Sequence, residues 1–87
     1  MLQEIENWIL KNFDYNTRTN NNDYTNSLTI EFENKTRIAR FTLWDDKSCM
    51  IEIINIDTEK YIINERRELE NHSDIEASFK EFVNLLT

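Results

Sequence analysis

Apolar residues recur at helical spacing over residues 2–13. Leu2, Ile5, Trp8, Ile9 and Phe13 fall on one side, with Glu4, Glu6, Asn7 and Lys11 on the other. That spacing predicts an amphipathic helix. Acid early and Lys11 late also suit the helix dipole. Residues 14–26 are polar, include Asn20-Asn21-Asn22, and read as a loop. The period then changes from 3.6 to two. Over residues 27–33, Leu28, Ile30 and Phe32 alternate with Thr29, Glu31 and Glu33, as in a strand with one buried face.

Asn34-Lys35 is placed to form a two-residue hairpin turn. Counting outward from it pairs Ile30 with Ala39 and Leu28 with Phe41. A second strand over residues 36–44 then turns Ala39, Phe41 and Leu43 to the core, and Ile38, Arg40, Thr42 and Trp44 away. Asp45-Asp46-Lys47 makes the next turn. Residues 48–56 form a third strand with an interrupted pattern: Cys49, Ile51 and Ile53 share one face, but Ile54 and Ile56 fall on the other. A bulge near Ile53-Ile54 would bring both sets inward. After a turn at Asp57-Thr58-Glu59, residues 60–69 start apolar and end charged, which suits an edge strand. Ser73 and Glu76 have the spacing of a capping box, and Ile75, Phe79, Phe82, Val83 and Leu86 mark one face of a closing helix. The expected fold is α+β. It is a four-stranded antiparallel meander with the N- and C-terminal helices packed on one face, and residues 1–87 form a single domain. Ile5, Ile9, Leu28, Ile30, Phe32, Ala39, Phe41, Phe79, Phe82 and Val83 are the expected core.

Composition narrows the function. The chain has 87 residues and a formal net charge of −7. A nucleic-acid binder needs an excess of Lys and Arg to neutralise phosphates, and an anionic membrane surface calls for the same. No direct nucleic-acid or membrane contact is therefore expected, and a positively charged protein partner suits the chain better. Glycine and proline are both absent. Every glycine-rich phosphate cradle is thereby excluded, and Asn and Asp must make the turns. One cysteine, no basic-then-apolar leader and no long apolar run lead to an expected cytoplasmic location.

The search for chemistry returns little. His72 stands alone before a helix, without an orienting partner or nucleophile. Cys49 lies in an apolar strand and reads as a small core residue. Asp45-Asp46 is read as a turn rather than a cation site, because no patterned series of ligands surrounds it. Glu31, Glu33 and Glu52 lack the cleft that paired-carboxylate hydrolysis requires. No catalytic residue, cofactor or metal site is assigned, and the protein is not expected to be an enzyme. Arg66-Arg67 lies among Glu65, Glu68 and Glu70, so local neutralisation is its expected role.

What remains is the outer face of the sheet, with Thr29, Glu31, Glu33, Arg40, Trp44, Glu52, Asn64 and Arg66. An aromatic among charges has the composition of an interface hot spot. Structural cover explains Trp44 equally well, either by packing over neighbouring side-chain stems or by the residue 14–26 loop folding across it. The candidate binding residues are Glu31, Glu33, Arg40, Trp44, Asp45, Asp46 and Glu52. Trp44 is the apolar anchor and Glu31, Glu33 and Glu52 are acceptors for a partner's Lys or Arg. The loops bearing Asp45 and Asp46 are the alternative site.

The run Ile38-Ala39-Arg40-Phe41-Thr42-Leu43-Trp44-Asp45-Asp46, with Cys49 and Ile51-Glu52-Ile53-Ile54, resembles the TriTu-type immunity proteins of bacteria. So do the opening Met1-Leu2-Gln3-Glu4-Ile5 with Trp8, the Asp57-Thr58-Glu59 turn and the final helix. The resemblance spans nearly the whole chain and is weakest at residues 14–26. Lys47 is a departure, standing where this family would have glycine. The resemblance implies an antidote to the toxic C-terminal domain of a contact-dependent growth inhibition system. It further implies that the toxin is a nuclease acting on tRNA, with elongation factor Tu as the toxin's partner. It carries over no catalytic residue, since immunity proteins act by occlusion. A small acidic secretion chaperone or adaptor is the rival reading, and a small hydrolase using the clustered acids is the rival from another class.

Overall fold

Side-chain alternation decides which face of each strand is buried, and the buried face recruits the helices. The computed structural model describes residues 2–21 and 25–86. Its elements in chain order are α1 (Leu2–Asn12), β1 (Thr17–Asn21), β2 (Asn26–Glu33), β3 (Arg37–Trp44), β4 (Ser48–Asn55), β5 (Lys60–Glu68) and α2 (His72–Leu86). Among the described residues the strands form one sheet in the order β1-β2-β3-β4-β5, with every neighbouring pair antiparallel.

The sheet thus has five strands rather than the expected four. The extra strand, β1, lies within the segment read as a loop; residues 22–24 of that segment lie outside the described residues. Thr17-Arg18-Thr19-Asn20-Asn21 has no apolar alternation to announce a strand. It forms because β2 would otherwise leave its outer edge unpaired, and β1 fills that edge in register, with Thr17 opposite Ile30 and Thr19 opposite Leu28. The Thr17 hydroxyl also donates to Glu6 Oε2 of α1 at 2.7 Å.

The β2–β3 register differs from the expected one by two residues. Ile30 pairs with Phe41, Leu28 with Leu43 and Phe32 with Ala39. The turn is centred on Lys35-Thr36. The Asn34 amide donates to the Arg37 carbonyl at 2.9 Å, and Asn34 Oδ1 accepts from the Thr36 and Arg37 amides, each at 2.8 Å. A shift of two leaves every side chain on its expected face, because the pleat has a period of two.

The expected bulge near Ile53-Ile54 exists, but its extra residue lies on β5. Ile53 pairs with Ile63 and Ile54 with Tyr61, which leaves Ile62 opposite no residue of β4. β4 itself runs in unbroken register with β3, so Ile54 stays opposite Ile38 on the outer face instead of turning inward. The cap of α2 also differs. Asn71 Oδ1 accepts from the Asp74 amide at 3.0 Å, and α2 begins at His72, so Asn71 caps the helix and Ser73 lies inside it.

Ile5 and Ile9 of α1, and Ile75, Phe79, Phe82 and Leu86 of α2, are buried in one cluster. Leu28, Ile30, Ala39, Phe41, Leu43, Cys49, Ile51 and Ile53 of the sheet complete it. Alternation puts those strand residues on a single face, so both helices cover the same side. Phe32 and Val83, expected in the core, are only partly buried and pack against its margin. Phe79 sits at the centre of an aromatic group, its ring 5.2 Å from those of both Phe13 and Phe41. Tyr15 and Phe82 lie close by, at 6.2 and 5.7 Å.

Candidate protein-binding face

With both helices on one side, the other face of the sheet has no covering layer among the described residues. Register places Glu31, Arg40, Glu52 and Asn64 in one row across β2, β3, β4 and β5. Glu31, Glu33 and Arg40 are exposed, and Glu52 is half-buried. Glu31 is paired with Arg18 of β1 across the strand boundary. Among the described residues, no ion pair or side-chain hydrogen bond joins Glu33, Arg40 or Glu52 to a neighbour. Their side chains are thus available to an incoming group. Four of the seven candidate residues therefore share one open surface.

The other three are engaged in the fold. Trp44 is half-buried, and the Arg66 guanidinium stacks 5.2 Å from its ring centroid. Neighbouring side-chain cover of Trp44 is therefore realised through Arg66. β1, from the segment read as a loop, extends the sheet edgewise instead of folding across its face. Asp45 Oδ2 accepts from the Asn26 amide at 3.0 Å. Asp46 Oδ1 accepts from the Ser48 amide at 2.9 Å and from its hydroxyl. Those bonds to Ser48 hold the Asp46 carboxyl below its ordinary pKa of 3.8. Both acids shape the β3–β4 turn, as a turn reading of the pair predicts.

The remaining candidates for chemistry have local roles. Cys49 is fully buried, and burial pushes its thiol above the ordinary pKa. His72 Nδ1 lies 3.7 Å from Glu4 Oε2, between the two helices. Arg67 reaches from the helix-covered side of β5 to Glu81 of α2 at 2.7 and 3.0 Å, and to Glu65 at 3.0 Å. These bonds hold the Glu81 carboxyl below its ordinary value, and they raise that of Arg67. Arg66 and Arg67 thus serve locally, one over an aromatic ring and one as a clasp between sheet and helix.

The candidate list missed an apolar corner. Ile38, Ile54 and Tyr61 are consecutive in register across β3, β4 and β5 on the outer face. Ile38 is 47% and Tyr61 54% exposed. With Glu31, Arg40 and Glu52 they line a shallow depression. Parity along the strands already turned Ile38 outward. The expected bulge turned Ile54 inward, and Tyr61 fell in the apolar start of the last strand, which the pattern assigned to neither face.

A family model described as immunity protein TriTu matches residues 3–85. No curated protein matches the chain.

Proposed function

The chain belongs to the TriTu family of immunity proteins, and from that premise we propose that it neutralises a toxic C-terminal nuclease domain of a contact-dependent growth inhibition system. It does so by covering the toxin's active or substrate-binding surface, and it carries out no reaction itself. The toxin is a nuclease acting on tRNA, and elongation factor Tu meets this chain through the toxin. The observation that carries the reading is a sheet face that, among the described residues, lacks cover and leaves Glu33, Arg40 and Glu52 unengaged, in a chain of net charge −7. A nuclease that grips RNA is basic, so long-range attraction steers the two together and the acidic face takes up its Lys and Arg side chains. Glu31, Glu33, Arg40 and Glu52 form the proposed contact surface; Trp44, Asp45 and Asp46, engaged by Arg66, Asn26 and Ser48, lie outside it.

The test is co-production with the toxin domain encoded beside this chain. Growth should be restored, and the two purified proteins should form a complex in which tRNA cleavage stops. Full cleavage in the presence of excess chain would refute the proposal.

A further inference from the structure

The apolar corner of the outer face lies away from Trp44, and its chemistry differs. Trp44 already has a partner in Arg66, whose guanidinium lies over the ring. A toxin side chain seeking Trp44 must displace that contact. At the opposite end of β3, the row Ile38–Ile54–Tyr61 has no such cover among the described residues, and its two outer members are about half exposed. Three apolar residues in adjacent strands make a contiguous patch rather than scattered exposure, and such patches mark interaction sites. The patch is also concave: the same residues line the depression with Glu31, Arg40 and Glu52.

We infer that this depression, and not Trp44, holds the energetic anchor for the toxin, and that the toxin presents to it an apolar side chain flanked by Lys or Arg. The inference rests on the immunity reading above. Charge complementarity identifies the occupant. Glu33 and Glu52 border the apolar row, and among the described residues no ion pair engages them. Glu33 is the register partner of Ile38. Glu52 lies two residues from Ile54 on the same face of β4. An apolar group entering between them excludes water, which strengthens the flanking ion pairs. A desolvated apolar centre ringed by charge is the arrangement of a hot spot.

The experiment compares dissociation of the purified toxin domain from the parent chain and from Ile38→Ser, Tyr61→Ser and Trp44→Ala. Leu10→Ser on α1 serves as a control, being equally exposed but on the helical side. Thermal melts establish that each variant is folded. Ile38→Ser and Tyr61→Ser should each speed dissociation by roughly thirtyfold, the scale of a hot-spot loss. Trp44→Ala and Leu10→Ser should stay within about threefold. Hydrogen exchange on the unmutated complex supplies a readout independent of substitution: amides of residues 38–40, 52–54 and 61–63 should gain protection, and those flanking Trp44 should not. Parent-like dissociation from the Ile38 and Tyr61 variants, with a large effect at Trp44, overturns the anchor but leaves immunity standing. So does a footprint confined to Trp44 and the β3–β4 turn. A patch that only joins two copies of this chain, seen as a dimer lost in Tyr61→Ser with toxin binding unchanged, also overturns it. If the parent chain does not bind the toxin domain at all, the immunity reading and the anchor fall together.

Discussion

At the scale of single residues, Phe79 and Lys47 show opposite relations between sequence and structure. Phe79 was legible: its helical spacing put it in the core, and there its ring meets those of Trp8, Phe13, Tyr15, Phe41 and Phe82. Phe79→Ala removes a wholly buried ring that its neighbours cannot collapse around. It should cost about 3–5 kcal/mol in a urea titration, a large part of the stability of a small domain. Lys47 was legible only as a departure from the family's glycine. Its φ is 70°, in the left-handed region where a side chain is crowded and glycine is not. A weak exposed bond from its ammonium to the Glu70 carbonyl at 3.2 Å is the compensation. Lys47→Gly should therefore raise stability by about 0.5–1 kcal/mol, after the extra freedom glycine gives the unfolded chain is set against the relieved strain. A lower urea midpoint would show that the ammonium contact outweighs the backbone.

At the scale of elements, the turns explain which parts of the sheet could be read and which could not. A chain without glycine or proline makes its turns with side-chain carbonyl and carboxylate oxygens. Asn34 takes the amides of Thr36 and Arg37, Asp46 that of Ser48, and Asn55 those of Asp57 and Thr58. Each bond fixes where its turn begins. Choosing Asn34-Lys35 as the turn pair, rather than letting Asn34 precede it, is what moved the β2–β3 pairing by two residues. The faces survived that error because apolar alternation sets them independently. β1 escaped notice for the reverse reason: its neighbour's open edge specifies it, and not its own side chains. β5 and α2 are joined by charge. Glu81 has its pKa lowered below the ordinary 4.5, chiefly by the hydrogen bonds from Arg67. A folded-state pKa below the unfolded one means that the clasp contributes fully above the unfolded pKa and is lost as pH falls through the folded value. Glu81→Gln should lower the urea midpoint at pH 7 and flatten its decline toward pH 3. An unchanged acid limb would show that other carboxylates govern it.

At the scale of the whole molecule, net charge and surface layout make separate contributions. The excess of acid was plain from the sequence, and it sets the rate of encounter with a basic partner more than the final affinity. Association with the toxin domain should therefore slow steeply as salt rises, while dissociation changes little. Glu33→Lys with Glu52→Lys should slow association more than Asp14→Lys with Asp57→Lys, although both pairs change net charge equally. Equal slowing by the two pairs would mean that the face has no special part in the encounter. The composition of that face was also legible, since parity alone turned Glu31, Glu33, Arg40 and Glu52 outward. What parity does not carry is which of its residues have partners. That Trp44 lies under Arg66, and that Ile38, Ile54 and Tyr61 line up without cover, depends on register between strands far apart in sequence.

The connectivity of the sheet has a consequence in time. Every strand pairs with its immediate sequence neighbours, so each hairpin can close over a short loop, and the low loop entropy favours rapid assembly. The core does not close that way. Phe41 and Ile51 remain bare until Phe79 and Phe82 of α2 arrive, and α2 follows every strand in the chain. During synthesis the sheet must therefore wait, its apolar face exposed, while α2 is still in the ribosome. The outer face becomes rigid only once α2 has left the ribosome and packed behind the sheet. For a cell that must disarm a toxin, the useful quantity is then the supply of chains that have released α2, because one that has made only its sheet has nothing behind the outer face to hold it flat.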